Sequence, residues 1–120
     1  MSTRIRRASA KRIEVLDRGH LGRYTMDNPA LEREIIELFL QQLPVTLAGL
    51  KSAKSSGDWK LATHTMKGSA AAIGATCINL IAAELELRKF DVDAKIKSKL
   101  INELEAAIAQ FKKMAARIYR

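Results

Sequence analysis

The spacing of apolar residues in the first half of the chain predicts a long amphipathic helix. Apolar side chains recur at alternating intervals of four and three residues, which is typical of one buried helical face. This stripe comprises Ile36, Leu40, Leu43, Leu47 and Leu50. The Asp-Asn-Pro at residues 27–29 is expected to start the helix, and the Ser-Ser-Gly at residues 55–57 is expected to end it. Because Pro44 lacks a backbone N–H, we expect a kink or a brief break at that residue.

Three later segments also carry helical patterns. Asp58 is expected to cap a helix that ends near residues 74–75, and Thr76 is expected to cap the helix after it. The buried stripe of that following helix comprises Ile78, Ile81, Ala82 and Leu85. After a turn at residues 91–93, the last helix carries a nearly heptad stripe of Ile101, Leu104, Ile108, Phe111, Ala115 and Ile118.

A short apolar strip before Asp17 indicates one more element. Asp17 can cap a short helix that holds His20 and Leu21. Four long amphipathic segments joined by short loops specify an all-α fold, an up-down-up-down four-helix bundle with a short additional N-terminal helix. We therefore divide the chain into a basic, flexible tail at residues 1–12 and a bundle at residues 13–120.

Composition narrows the functional classes. The chain of 120 residues has a formal net charge of +8, and residues 1–12 supply five of these charges without an acidic residue. No aromatic residues interleave with these basic residues, so we expect a solvated tail and no nucleic-acid partner. No apolar run approaches the roughly 20 residues of a membrane span, and no signal-peptide pattern follows Met1, so a cytoplasmic protein without a membrane partner is expected. The single cysteine, Cys77, is expected to be a packing residue.

The helix at the centre of the chain presents a histidine away from its apolar face. Each helical residue turns about 100°, so the residues within about 60° of His64 are Lys60, Leu61, Lys67, Gly68, Ala71 and Ala75. The residues on the other side are Trp59, Ala62, Met66, Ser69, Ala70 and Ile73. The face that must reach the core is therefore opposite His64.

Three residues on this outward face are suited to chemistry. The pKa of imidazole lies closest to neutrality, so neutral His64 is available as a nucleophile or base. Lys67, three residues later, can reach an anion held on His64. Gly68 costs about 1 kcal/mol relative to alanine inside a helix, which suggests the close approach of another molecule. From periodicity alone, a surface histidine with a solvated lysine and a chance glycine is an equal interpretation.

The motif at these residues resembles the histidine-containing phosphotransfer (HPt) domain. The sequence H-T-M-K-G-S at residues 64–69 is followed by Gly-Ala at 74–75 and Leu-Glu at 85–86. The family pattern is a phosphoacceptor histidine, two residues, Lys-Gly-Ser or Lys-Gly-Ala, a later glycine and Leu-Glu. Thr63 stands where alanine is usual and Met66 where leucine is usual. The resemblance spans most of the chain from about residue 17.

The resemblance implies a phosphocarrier of two-component phosphorelays that has no ATP-binding kinase domain of its own. His64 would accept the phosphoryl group through Nε2, Lys67 would offset its charge, and Gly68 would let the partner approach. The implied partners are response-regulator receiver domains and a hybrid histidine kinase. The partner surface would include Lys60, Leu61, Ala71 and Leu38. No cofactor and no metal site are expected, since any magnesium would be carried by the receiver, and a monomer is expected.

A second apolar stripe on the first long helix has two interpretations. Leu31, Leu38 and Val45 are seven residues apart and lie roughly opposite the main stripe. In the favoured interpretation, the short first helix covers them with Leu21 and Tyr24. In the other, part of the stripe stays exposed near the histidine and receives the partner.

Three other functions are compatible with the sequence. A basic nucleic-acid-binding protein would need a basic helical face, whereas the basic excess lies mainly in the tail. A helical adaptor would leave His64 without a chemical role. An enzyme that uses His64 as a general base would need a second catalytic group, and none stands at a useful spacing.

Overall fold

A computed structural model describes residues 14–119, which form five helices and no strand. The helices are α1 (Arg18–Tyr24), α2 (Pro29–Lys51), α3 (Ser56–Ile73), α4 (Thr76–Arg88) and α5 (Ala94–Ile118). The basic tail predicted at residues 1–12 lies outside the described residues.

Helices α2 to α5 form a four-helix bundle, and α1 is the short additional helix. Each long helix packs against the next one along the chain, and α5 closes the bundle by packing against α2. The connections at residues 52–55, 74–75 and 89–93 are short, so consecutive helices are antiparallel neighbours. The fold class predicted from the apolar spacing is confirmed.

The core between the long helices consists of aliphatic and aromatic side chains. Leu85 and Phe111 have no exposed surface. The rings of Phe39 and Phe111 meet edge to face, with centroids 5.2 Å apart and an interplanar angle of 74°. Three residues of the stripe predicted for α2 are buried, namely Ile36, Leu43 and Leu50, and the other two are half-buried.

The boundary between α2 and α3 differs from the sequence prediction. Helix α2 ends at Lys51, and Ser56 and Gly57 already belong to α3. The cap of α3 is Ser55, whose hydroxyl oxygen accepts a hydrogen bond from the Asp58 N–H at 3.1 Å. The prediction that Asp58 caps α3 is wrong because Asp58 is the third residue of the helix. From there its carboxylate accepts a 3.4 Å hydrogen bond from the Lys54 N–H.

Two further details of the helix ends also differ. Of the kink or brief break predicted at Pro44, the break does not occur, since α2 is continuous through this exposed proline. Ala75 occupies the cap position of α4 without a side-chain hydrogen bond, so the prediction that Thr76 is the cap is wrong. The Thr76 hydroxyl instead donates to the Gly74 carbonyl at 3.2 Å.

Helix α1 is fixed across the C-terminal end of α3. Asp17 caps α1 as predicted, with its carboxylate accepting from the His20 N–H at 3.0 Å. The Asp17 N–H donates to the Gly74 carbonyl at 2.7 Å, and His20 Nε2 donates to the Ala72 carbonyl at 2.8 Å. Gly74 has a φ of +86°, and a Cβ there would lie 2.8 Å from the Asp17 carbonyl oxygen. Only glycine fits this close crossing, which closes one end of the bundle.

The other end of the bundle holds the only tryptophan. Trp59 is buried, and its Nε1–H donates to the Leu85 carbonyl at 3.1 Å. The Lys97 ammonium lies 4.8 Å from the Trp59 ring centroid and 4.4 Å from the Phe90 ring centroid. Trp59 therefore contacts both α4 and α5, so its fluorescence reports on the packing of three helices.

Candidate functional site

Helix α3 presents the face that carries the histidine to solvent. The His64 side chain is 69 % exposed. Lys60, Leu61, Gly68 and Ala71 are exposed on the same face. The opposite face is buried at the predicted residues Trp59, Ala62, Met66, Ala70 and Ile73. Ser69 is exposed, so the prediction that it points inward is wrong; it lies at the margin of the buried face.

Helix α4 contributes a carboxylate to this face. Glu86 Oε2 lies 3.3 Å from His64 Nδ1, and Glu86 Oε1 lies 2.5 Å from the Lys67 ammonium. The Glu86 side chain is 21 % exposed, against 36 % for Lys67. One carboxylate thus contacts both the histidine and the lysine that the sequence places a turn apart.

The charges at the site determine which imidazole nitrogen is available. The hydrogen bond from Lys67 lowers the pKa of Glu86, with smaller contributions from its charge and from His64. Glu86 is therefore ionised at neutral pH and can only accept hydrogen bonds. The contact at Nδ1 then requires Nδ1 to carry the proton, so neutral His64 has its lone pair on Nε2. The exposed ring presents this nitrogen to an incoming group.

Glu86 is a site residue that the sequence reasoning did not single out. Its signal was the Leu-Glu at residues 85–86, which belongs to the motif but lies 22 residues after His64. Leu85 is fully buried, and the next residue along a helix turns about 100° away from it. That turn directs Glu86 toward α3, but only the packing of α3 against α4 places it beside His64.

Gly68 has no packing role in the bundle. A Cβ added at Gly68 would meet nothing within 4 Å, and its φ is not in the left-handed region. The residue is exposed one turn after His64. The glycine therefore leaves bare helix backbone beside the histidine.

Both α2 and α3 carry exposed apolar side chains. Leu61 is 71 % exposed, Val45 67 % and Leu38 52 %. A groove of about 340 Å³ between α2 and α3 is lined by Leu61 and Thr65 on one side and by Thr46 and Gly49 on the other.

The interpretation that α1 covers the second stripe of α2 is wrong for Leu38 and Val45, which are exposed, whereas Leu31 is half-buried. Leu21 is fully buried, but α1 packs against α3, and Tyr24 is 54 % exposed. Hydrogen bonds from Asp17 and His20 hold α1 to the C-terminal end of α3.

Two negative findings apply to the described part of the chain. Over residues 14–119, no group of three or more His, Cys, Asp or Glu side chains is placed to hold a metal ion. In the same range, no helix combines the length and the apolar character that crossing a membrane requires.

Comparison with known proteins identifies one family. The family model of the Hpt domain matches residues 34–113, which run from the first part of α2 into the last third of α5 and include His64, Lys67, Gly68 and Glu86. Neither the curated proteins nor the solved structures contain a match to the chain.

Proposed function

The chain belongs to the Hpt domain family, and on that premise we propose that His64 is its phosphoacceptor and takes the phosphoryl group from the phosphoaspartate of a receiver domain. Hpt domains are phosphocarriers in phosphorelays, where they perform histidine phosphotransfer and are not kinases. The observation that carries the assignment is the contact of Glu86 with Nδ1, which leaves Nε2 as the nucleophilic nitrogen of an exposed ring.

The proposed reaction needs little from this chain beyond position and charge. The Nε2 lone pair attacks phosphorus in line as the bond to the aspartyl oxygen breaks, and the aspartate leaves as a carboxylate. The new N–P bond makes the ring cationic while Nδ1 keeps its proton. Glu86, already ionised and 3.3 Å from Nδ1, stabilises that positive charge. The reverse reaction returns the phosphoryl group to a receiver.

Lys67 would act on the phosphoryl oxygens. In the unphosphorylated protein its ammonium is held by Glu86 Oε1 at 2.5 Å. Because residues three apart on a helix are neighbours, a small rotation of the lysine side chain brings the ammonium to a phosphoryl group on His64. The ion pair with Glu86 thereby holds the Lys67 ammonium close to His64 before the phosphoryl group is transferred.

The partner surface proposed for the receiver lies around His64 on α2 and α3. Lys60, Leu61, Ala71 and Leu38 are exposed, which supports their assignment to this surface. The apolar side chains at 38, 45 and 61 offer area for burial, and interfaces with a partner commonly use such patches. Gly68 leaves room for the phosphoaspartate-bearing end of the receiver.

The test is transfer of labelled phosphate from receivers of the same cell that have been loaded with radiolabelled acetyl phosphate. We expect acid-labile, base-stable label, which identifies phosphohistidine. His64→Gln should abolish the label while changing the free energy of unfolding by less than about 0.5 kcal/mol, as is usual for a surface substitution.

The control is His20→Gln, which replaces the only other histidine and should keep full labelling. Label retained by the His64→Gln variant would move the acceptor elsewhere. If no phosphorylated receiver transfers label to the protein, the result would favour an adaptor without phosphotransfer.

A further inference from the structure

The positive charge of the described bundle is concentrated on α5. Helix α5 contains six lysine and arginine residues against two glutamates, a net charge of +4. The other residues between 14 and 119 contain nine basic and eleven acidic residues, a net charge of −2. The folded part of the chain therefore has its own basic helix, in addition to the basic residues of the tail.

Four of these basic residues share the outer face of α5. Lys95, Lys99, Lys113 and Arg117 fall within about 40° of one another around the helix axis, and they span roughly 33 Å along it. All four side chains are exposed, and no acidic side chain of residues 14–119 pairs with them. We call these residues the basic face.

The side chains between the two ends of the basic face are small or amide-bearing. Asn102, Ala106, Ala109 and Gln110 are exposed there. The half-buried Glu103 lies at the edge of the face and is its one acidic residue. The small residues allow a ligand to approach the helix backbone closely, and the amides can hydrogen-bond to groups along it.

The composition of the basic face selects among polyanionic ligands. It contains no aromatic residue, so it lacks the stacking platforms that single-stranded nucleic acids require. It contains no large apolar residue, so it cannot insert into a lipid surface or supply the apolar core of a protein interface. The basic face spans about 33 Å, close to the helical repeat of a duplex, which is about 34 Å, so its two charged ends can reach phosphates about one turn apart along one side of the duplex.

We propose that the basic face of α5 binds the phosphate backbone of duplex nucleic acid. The contacts are electrostatic, from two lysines at one end and a lysine and an arginine at the other. In the bundle, α5 packs against α4 and α2, which places it diagonally from α3. Duplex binding therefore leaves His64 accessible, and the proposal does not depend on the proposed phosphotransfer.

Fluorescence anisotropy of the full chain with a labelled duplex of about 20 base pairs, between about 50 and 200 mM salt, tests the proposal. Each neutralised phosphate contributes about −0.9 to the slope of log K against log salt. The variant Lys95→Gln/Lys99→Gln/Lys113→Gln/Arg117→Gln should therefore have a slope about 3.6 smaller in magnitude, with an affinity at least about 100-fold weaker at the lowest salt.

Two matched variants locate the effect. Arg23→Gln/Lys54→Gln/Lys89→Gln/Lys112→Gln removes the same charge from other exposed positions and should lose less than about threefold in affinity. Glu103→Gln removes the acidic residue from the basic face and should tighten binding severalfold. Circular dichroism of each variant confirms that the helices are retained.

Three results would overturn the proposal. The first is equal loss of affinity in the two quadruple variants. The second is unchanged affinity of the α5 variant together with lost affinity when Arg4, Arg6, Arg7, Lys11 and Arg12 are all replaced by glutamine, which would assign binding to the tail. The third is tighter binding of single-stranded DNA or of vesicles of phosphatidylcholine and phosphatidylserine than of the duplex.

Discussion

Substitution of Gly68 should raise stability and lower function at the same time. Gly68 is exposed, its φ is not in the left-handed region, and a Cβ there would have open space. Glycine inside a helix costs about 0.5–1 kcal/mol relative to alanine, mainly through the entropy of the unfolded chain. Gly68→Ala should therefore stabilise the fold by that amount, which corresponds to a rise in melting temperature of about 2–6 °C.

Gly68→Gln should fold at least as well as the wild type, because glutamine is a better helix former than glycine. Its side chain, however, would stand one turn after His64 and about 40° around the helix, where the proposed receiver would approach. A displacement of about 1 Å between reacting groups can cost about 100-fold in rate. We expect a loss of that size or more for the glutamine variant and a smaller loss for the alanine variant.

The assay measures thermal unfolding by Trp59 fluorescence and the receiver-to-His64 transfer rate on the same samples. Gly57→Gln is the matched control, because Gly57 is also exposed on α3 and a Cβ there meets only the Ser55 hydroxyl at 3.8 Å. Gly57 lies two turns before His64, so this variant should keep its transfer rate. Full-speed transfer by Gly68→Gln would refute the close-approach argument, and destabilisation by Gly68→Ala would show that the glycine is needed for packing.

Three other substitutions test separate parts of the account. Glu86→Gln should slow transfer by at least about tenfold, measured against an unchanged circular dichroism spectrum. Because the pKa of Glu86 is lowered in the folded protein, its contribution to stability is complete above the ordinary carboxyl pKa of 4.5 and is lost as the pH falls through the folded pKa. The free energies of unfolding of the wild type and of Glu86→Gln should therefore converge in acid. Leu38→Asp should reduce transfer while the free energy of unfolding changes by less than about 0.5 kcal/mol, and a large destabilisation would mean that Leu38 is covered. Burial and a 2.5 Å hydrogen bond to Glu32 raise the pKa of Tyr119 to about 12, so the wild type should lose stability between pH 10 and 12, a loss that Tyr119→Phe should abolish.

The helices were predictable because each buries one stripe against the core, and a stripe is legible in a single sequence. The ends of the helices were less predictable, because several neighbouring residues can each serve as the N-cap. Ser55 and Asp58 are both good cap residues, and only the observed backbone shows that the serine hydroxyl serves as the cap. Pro44 could have broken α2, but the helix passes through it at an exposed position.

The outward orientation of His64 was predictable because it depends only on the spacing of residues within α3. Contacts between two helices were not predictable in this way. Glu86 reaches His64 across the contact between α3 and α4, which no spacing within one helix encodes. The exposure of Leu38 depends on how the helices pack around α2, and the anchoring of α1 at Gly74 is likewise a contact between separate segments. The basic face of α5 was hidden in the net charge because acidic residues elsewhere in the bundle offset it.

The most direct test of the central claim is NMR spectroscopy of the protein after phosphorylation by a receiver, with the imidazole nitrogens labelled with ¹⁵N. We expect a single phosphohistidine at His64, with phosphorus coupled to Nε2 and a proton retained on Nδ1 beside Glu86. Phosphorus coupled to Nδ1 of His64, or found on any other residue, would contradict it.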